Sequence, residues 1–364
     1  MYYVCTKCGK KAEVTDAAPA CGCGGLWELK WDVPPFDLEG IDRDTWSIFR
    51  YRKWLPLLDD GWKDVTLGEG MTPVIRFSDH LLLKMDYFMP TLSFKDRGAA
   101  VLAAHCRSLG IRSVVQDSSG NAGNSVAAYC ARAGIRCRIF VPAGTSPAKI
   151  QMIRAHGAEV VIVPGSRDHC ADVCRQEVRD RGAYYCSHVY NPFFYEGTKT
   201  YIYEIYEALH CIPQTLFVPL GNGTLFIGVM KALEELLGSG AISEMPQVVA
   251  VQSEHCDPIY QAAAKGLDHI EPAEVTPTLA EGIAIGKPMR AGEILSCVYR
   301  WHIRIITAPE ERILPAREQL ARKGIYCEHT TAASLAAYEK YCGQYGTPEE
   351  ALIPMCGAGL KSDH

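Results

Sequence analysis

The strongest constraint on this chain is a regular alternation that begins at Ser113. Short runs rich in β-branched and other apolar residues, Ser113–Asp117, Arg138–Val141, Val160–Val163, Leu216–Leu220, Val248–Gln252, Ile303–Thr307 and Leu352–Pro354, read as strands. Between most of them lie stretches with helical periodicity, such as Pro147–His156, Leu225–Leu237 and Glu310–Ala321. Strands that alternate with helices imply a parallel sheet covered by helices, an α/β architecture. Ligands in that architecture bind beyond the carboxyl ends of the strands, where loops enter helices.

Two such loops carry chemistry. Ser118-Ser119-Gly120-Asn121-Ala122-Gly123-Asn124 follows the first strand and leaves backbone N–H groups free at the start of the next helix. Such a nest suits an anion, although the same residues would also serve as an ordinary N-cap turn. Gly221-Asn222-Gly223-Thr224-Leu225 follows the strand Leu216–Leu220, where glycines let the backbone approach a phosphate at a helix N-terminus. It is not a dinucleotide fingerprint, because Phe226 stands where a third glycine is needed, and it lacks the Gly-Lys-Ser/Thr ending of a P-loop.

Upstream, Thr91-Leu92-Ser93-Phe94-Lys95-Asp96-Arg97-Gly98 opens an Ala-rich run, Ala99–Leu109, that reads as a helix, and Leu82–Lys84 reads as the strand before it. A lysine at a helix start is ordinarily solvated, since the macrodipole there disfavours cations. Ser93 and Asp96 flank this one with two good capping groups. A buried lysine amine loses its proton more readily and can form a Schiff base.

Residues 1–30 stand apart. Cys5-x-x-Cys8 and Cys21-x-Cys23-Gly24-Gly25 can place four thiolates on a tetrahedral zinc ion; the alternative is two pairs of idle surface thiols. The segment is too short to bury a core of its own, so a metal would supply its stability. After Pro34-Pro35, the stretch Trp46–Pro56 carries four large aromatics and reads as a short helix packed on the body or on a partner subunit.

These strings resemble those of threonine synthases, members of the tryptophan-synthase-like (fold type II) pyridoxal-phosphate enzymes. Ser93-Phe94-Lys95-Asp96-Arg97-Gly98 is similar to their S-F-K-D-R-G motif, Gly68–Pro73 to their E-G-x-T-P turn, and Glu196–Thr200 to their E-G-x-K-T region. Cys5–Gly25 is similar to the ribbon that begins many of them, and Gly357–Lys361 to their G-x-G-L-K ending. The resemblance implies two three-layer parallel-sheet domains of the fold type II enzymes plus a small N-terminal zinc ribbon. It divides the chain into a ribbon at 1–30, a large cofactor-binding domain at 31–82 and 197–364, and a small domain at 83–196. It implies that Lys95 is the Schiff-base lysine for pyridoxal phosphate and that Gly221, Asn222, Gly223, Thr224 and Leu225 cup the cofactor phosphate. Asn121 would contact the cofactor's phenolic oxygen, while Ser118, Ser119 and Gly120 hold the substrate carboxylate. Ser93, Lys149 and Asn191 would lie near a substrate phosphate, and Cys5, Cys8, Cys21 and Cys23 would hold structural zinc. Cys356 stands where the family places Thr or Ser against the pyridine nitrogen; a neutral thiol is a weaker donor there.

The implied reaction is that of threonine synthase, O-phosphohomoserine and water to threonine and phosphate. Ala122-Gly123, Glu281 and Cys356 point instead to a β-elimination or β-replacement enzyme, such as a serine/threonine ammonia-lyase or a cysteate synthase. A non-catalytic ribbon-bearing partner protein is a third reading, opposed by the intact Lys95. The expected partner is a small amino acid and the expected assembly a homodimer. With a formal net charge of -5 no broad basic field is available for nucleic acid, and no apolar run reaches the roughly 18 residues of a membrane span. The opening Met1–Cys8 lacks the apolar core of a signal peptide, and sixteen cysteines in a chain this long suit reduced thiols, so a cytoplasmic location is expected.

Overall fold

The computed structural model describes residues 1–15, 17–271 and 275–362. The chain opens with strands β1 (Tyr2–Cys5), β2 (Lys11–Ala12) and β3 (Trp27–Lys30), an antiparallel ribbon in the order β2-β1-β3. Strands β4 (Val74–Ser78) and β5 (Leu81–Lys84) follow, then helix α1 (Lys95–Ser108). The next unit runs β6 (Ser113–Gln116), α2 (Asn121–Arg132), β7 (Arg136–Pro142), α3 (Pro147–Ala155), β8 (Glu159–Val163), α4 (Arg167–Arg181) and β9 (Tyr184–Tyr185). Helices α5 (Phe193–Thr198) and α6 (Thr200–Leu209) lead to β10 (Thr215–Pro219), α7 (Thr224–Ser239), β11 (Gln247–Ser253) and α8 (Pro258–Ala264). The chain closes with α9 (Ala291–Arg300), β12 (Arg304–Ala308), α10 (Glu310–Arg322), α11 (His329–Tyr345) and β13 (Ala351–Pro354).

Two sheets form the body. The larger has six strands in the order β12-β11-β10-β13-β5-β4, parallel except for the β4–β5 pair. The smaller has four parallel strands in the order β8-β7-β6-β9. Successive side chains of a strand point to opposite faces, and both faces of each sheet are covered. In the large sheet Leu82, Val218 and Ala250 pack under α6, α7 and α9, while Leu83, Phe217 and Val251 pack under α10 and α11. In the small sheet Val114 and Ile139 meet α1 and α2, while Val115 and Phe140 meet α4. Each is therefore a three-layer α/β unit, as expected.

The eight expected strands are present with ends moved by one or two residues. The edge strand β4 and the short β9 have too little alternation to be read from sequence. Strand β5 runs across the 82/83 division and pairs within the large sheet. The aromatic stretch forms a short helix packed on the body, as expected, but Ile48–Trp54 is of 3-10 type and kinked at Tyr51. Its aromatics lie on no single helical stripe; Phe49, Tyr51 and Trp54 are buried, and Trp46 is 73% exposed. The ribbon does not fold as a free module. Tyr3, Trp27 and Leu29 join the core of the small sheet, and the Tyr3 ring meets Phe193 edge-on at 6.3 Å.

Candidate active site

Lys95 is the first residue of α1, and the loop before it is built by Asp96. The Asp96 carboxylate accepts from the Thr91 N–H at 2.7 Å and from the hydroxyls of Thr91 and Ser125. It thus folds the preceding turn and ties α1 to α2. This corrects the capping role expected of Ser93 and Asp96: the N-cap position is Phe94, which makes no side-chain cap. Leu92 in the turn has φ of 60°, a left-handed conformation costly for a branched residue and maintained by this surrounding structure.

Behind the lysine lies a closed set of charges. The Arg97 guanidinium holds Asp86 at 2.8 and 2.9 Å and Glu204 at 2.7 Å through each of two nitrogens. The Lys84 ammonium adds a 2.7 Å contact to Glu204. Glu204 also accepts from the N–H groups of Met71 and Thr72. Burial works against the Glu204 carboxylate, but Arg97 and Lys84 together hold it well below the usual range. The end of β5, the start of α1, and α6 are joined at this point.

In front of Lys95 is a cavity of about 650 Å³. The Lys95 ammonium nitrogen donates to Thr224 Oγ1. Desolvation pulls its amine down to about 8, against the influence of Cys356 and Glu328 and with that of Arg167. A group poised there is a base near neutral pH. Gly221 to Leu225 form the facing wall, between β10 and α7, where the first N–H groups of the helix have no intrahelical partner. Gly223 has φ of 81°, and a Cβ there would lie 2.7 Å from Ile294 Cδ1. The positive φ and the packing against Ile294 of α9 favour glycine at this turn.

The loop Ser118–Asn121 lies at the end of β6. Ser118 N–H donates to Gln116 Oε1 at 2.7 Å, and Gly120 N–H to Ser118 Oγ at 3.3 Å. Asn121 Nδ2 donates to Glu328 Oε2 at 3.0 Å. Cys356 follows β13, its carbonyl accepting from Phe94 N–H at 3.0 Å. Burial, then the Glu328 and Asp86 charges, push its thiol well up, so it is neutral. His188 is held neutral by burial and by the charges of Lys95 and Arg167. Lys149 and Glu281 form a 2.8 Å ion pair at the rim, Glu281 being 74% exposed.

The structure therefore brings Lys95, Ser118, Ser119, Gly120, Asn121, Lys149, the 221–225 loop and Cys356 around one cavity. Ser93 and Asn191 are not in its wall. Ser93 is fully buried in an isolated bridge with Gly357, its hydroxyl without a partner among the described residues. The Asn191 amide is taken up by Tyr184 OH at 2.8 Å and Phe193 N–H at 3.1 Å. Arg167, His188, Glu328 and Lys361, to which the sequence gives no site role, also line the cavity. Arg167 opens α4 just after β8, and the rule that sites follow strands could have found it.

Both implied groups fit. A buried amine of lowered basicity faces a glycine turn of free N–H groups, as pyridoxal phosphate requires; Lys95 would bear it and Gly221 to Leu225 would hold its phosphate. In the ribbon, the sulfurs of Cys5, Cys8, Cys21 and Cys23 all lie within 4.8 Å of one another, with Cys5–Cys23 at 3.5 Å and Cys8–Cys21 at 3.7 Å. Zinc–sulfur bonds of about 2.3 Å in a tetrahedron separate sulfurs by roughly 3.8 Å. Disulfides, at about 2.05 Å, do not suit these distances.

Comparison with known proteins agrees with this geometry. Residues 65–357 match the family described as pyridoxal-phosphate dependent enzyme. The threonine synthase of Methanocaldococcus jannaschii is 32% identical over 98% of this chain and 92% of its own length. That of Mycobacterium leprae is 32% identical over 86% of this chain and 88% of its own. Among solved structures, the T.th. threonine deaminase superposes with a TM-score of 0.64 at 25% identity, over 76% of this chain and 87% of that one. Maize serine racemase, at 21% identity, shares the fold with a TM-score of 0.67, over 79% of this chain and 88% of that one.

Proposed function

This chain belongs to the pyridoxal-phosphate-dependent enzyme family and, within it, to the threonine synthases, and on that premise we propose that it converts O-phosphohomoserine and water to threonine and phosphate. The observation that carries the reading is the Lys95 amine, lowered to about 8 and facing the glycine turn across one cavity. Bound pyridoxal phosphate supplies the electron sink that acidifies the carbon beside the substrate amine. The rest falls to the chain. Lys95 Nζ, released when the substrate amine displaces it, takes the α-proton and returns protons to the carbon skeleton. Ser118, Ser119 and Gly120 hold the substrate carboxylate, the N–H groups of Ser118 and Gly120 being first released from Gln116 Oε1 and Ser118 Oγ, and Asn121 orients the cofactor. Lys149, with Arg167 added to the sequence assignment, supplies positive charge for a substrate phosphate. Ser93, fully buried, and Asn191, bonded to Tyr184, would act on that phosphate only through their neighbours.

The wider reading includes one structural zinc on Cys5, Cys8, Cys21 and Cys23, a cytoplasmic location, and a homodimer. It keeps the division into 1–30, 31–82 with 197–364, and 83–196, with the 82/83 boundary moved beyond Lys84 because all of β5 pairs within the large sheet. Among the described residues no helix is long and apolar enough to cross a membrane. The exposed Trp46 is the aromatic of its stretch left available to a partner copy. One observation favours the β-elimination reading: Glu281 already neutralises Lys149 at the rim, leaving less charge for a second phosphate. The test is a panel of O-phosphohomoserine, O-phosphoserine, serine and threonine, with cofactor absorbance and product identification. Threonine and phosphate from O-phosphohomoserine alone are expected. Keto acid and ammonia from serine or threonine, with O-phosphohomoserine inert, would replace this reading by the ammonia-lyase one.

A further inference from the structure

Among the described residues Glu328 is the acidic side chain of the inner cavity wall; the other acid that lines the cavity, Glu281, sits exposed at the rim. Its backbone is pinned: its N–H donates to Gly357 O at 3.0 Å, and its carbonyl accepts from Thr331 N–H at 3.0 Å at the start of α11. Its carboxyl is pressed against Gly357, where an added Cβ would lie 2.3 Å from Glu328 Cδ. From there it reaches across the cavity to Asn121, the first residue of α2 on the small-sheet side. The bond joins residues that belong to loops of different sheets.

An Asn amide has two N–H donors on one nitrogen and an acceptor oxygen. Once a carboxylate accepts one N–H, the amide cannot turn over without placing its oxygen against that carboxylate. We propose that Glu328 is a positioning residue for the cofactor: it holds the Asn121 amide with its second N–H available to the cavity, and it places a carboxylate on the wall of the cavity that Lys95 also lines. The inference rests on the proposed reading that Asn121 meets the cofactor's phenolic oxygen. The groups around the carboxylate are Asn121, Lys361, Lys95, Lys149 and the thiols of Cys327 and Cys356; those around Lys95 are Thr224, Cys356, Glu328, Arg167 and His188. Burial pushes the Glu328 carboxyl up, while the Asn121 N–H and the three lysines oppose it. The Asn121 N–H that it accepts and the lysines around it favour the charged form of Glu328. A negative charge near a basic nitrogen favours its protonated form.

The experiment is a pH titration of the cofactor absorbance of holoenzyme for the wild type, Glu328→Gln, Glu328→Asp and Asn121→Ala. Gln keeps the size and removes the charge, and its absorbance midpoint is expected to fall by about one unit or more. Asp keeps the charge and withdraws it from Asn121; it is expected to restore part of the midpoint while showing the altered band position of Asn121→Ala. A Glu328→Gln midpoint equal to wild type, with cofactor bound and an altered Asn121→Ala spectrum, overturns the role of Glu328 and leaves the reading of Asn121 standing. An unaltered Asn121→Ala spectrum instead overturns the reading of Asn121, and the inference with it.

Discussion

Two charged clusters meet at the start of α1, one behind Lys95 and one in front, and they are built in opposite ways. Behind it, Lys84, Asp86, Arg97 and Glu204 are buried and mutually bonded, with two positive and two negative charges in contact. In front, Lys95 faces Thr224, a neutral thiol and a carboxylate that is itself engaged by Asn121. Paired charges are spent on holding backbone. An incompletely paired amine keeps a lowered proton affinity and is available for reaction. The two residues that divide these tasks, Lys95 and Arg97, are separated in sequence only by Asp96.

The sharpest way to break the comparison is at Lys95 itself. Lys95→Ala is expected to lower turnover by about 10³-fold or more, while the thermal unfolding midpoint stays near that of the wild type. In the wild type, borohydride reduction followed by peptide mapping should place the pyridoxyl group on Lys95; labelling of another lysine would remove the active-site assignment. The contrary result is expected behind it. Glu204→Gln leaves Arg97 and Lys84 short of a counter-charge and should cost about 3–5 kcal/mol of stability, read by denaturant unfolding. The sign with pH follows from the lowered carboxyl. Its contribution is fully present above the ordinary carboxylate range and is lost as pH falls through the depressed value, so wild type and variant should converge in strong acid.

Smaller effects are expected further from the amine. Cys356→Ser should retain the cofactor and change turnover by less than about tenfold, equivalent to about 1.4 kcal/mol, since a hydroxyl makes the same contact as a neutral thiol. Loss of turnover with cofactor still bound would give the sulfur a chemical role of its own. The smallest effect belongs to the exposed rim pair. Glu281→Gln should leave the unfolding midpoint unchanged and lower the KM for a phosphorylated substrate by about two- to threefold, in line with the modest strength of exposed ion pairs. A rise in that KM would show that Lys149 does not exchange its carboxylate for phosphate.

The reading of Ala122-Gly123 as a sign of different chemistry meets a local constraint. A Cβ on Gly123 would lie 1.8 Å from the Ser118 carbonyl oxygen, so the position requires glycine for packing alone. Substrate choice cannot be read from that residue. Asp96 shows the same limit: a carboxylate beside a helix start satisfies the capping rule, yet here it serves Thr91 and Ser125.

What the sequence by itself determined is whatever short-range chemistry encodes. The strand–helix alternation follows from residue periodicity. The glycine turn at 221–225 follows from the backbone freedom it needs, and the cysteine pairs from the reach of two knuckles to one point. Lys95 was legible because its whole string is a short, continuous stretch of chain. Only the tertiary structure decided that Lys95 meets Thr224, that Lys84 and Arg97 share Glu204, and that Asn121 meets Glu328. No periodicity records these pairs, because their partners lie more than a hundred residues apart. They come together only when helices close over both sheets, and that same burial sets whether each group holds its proton.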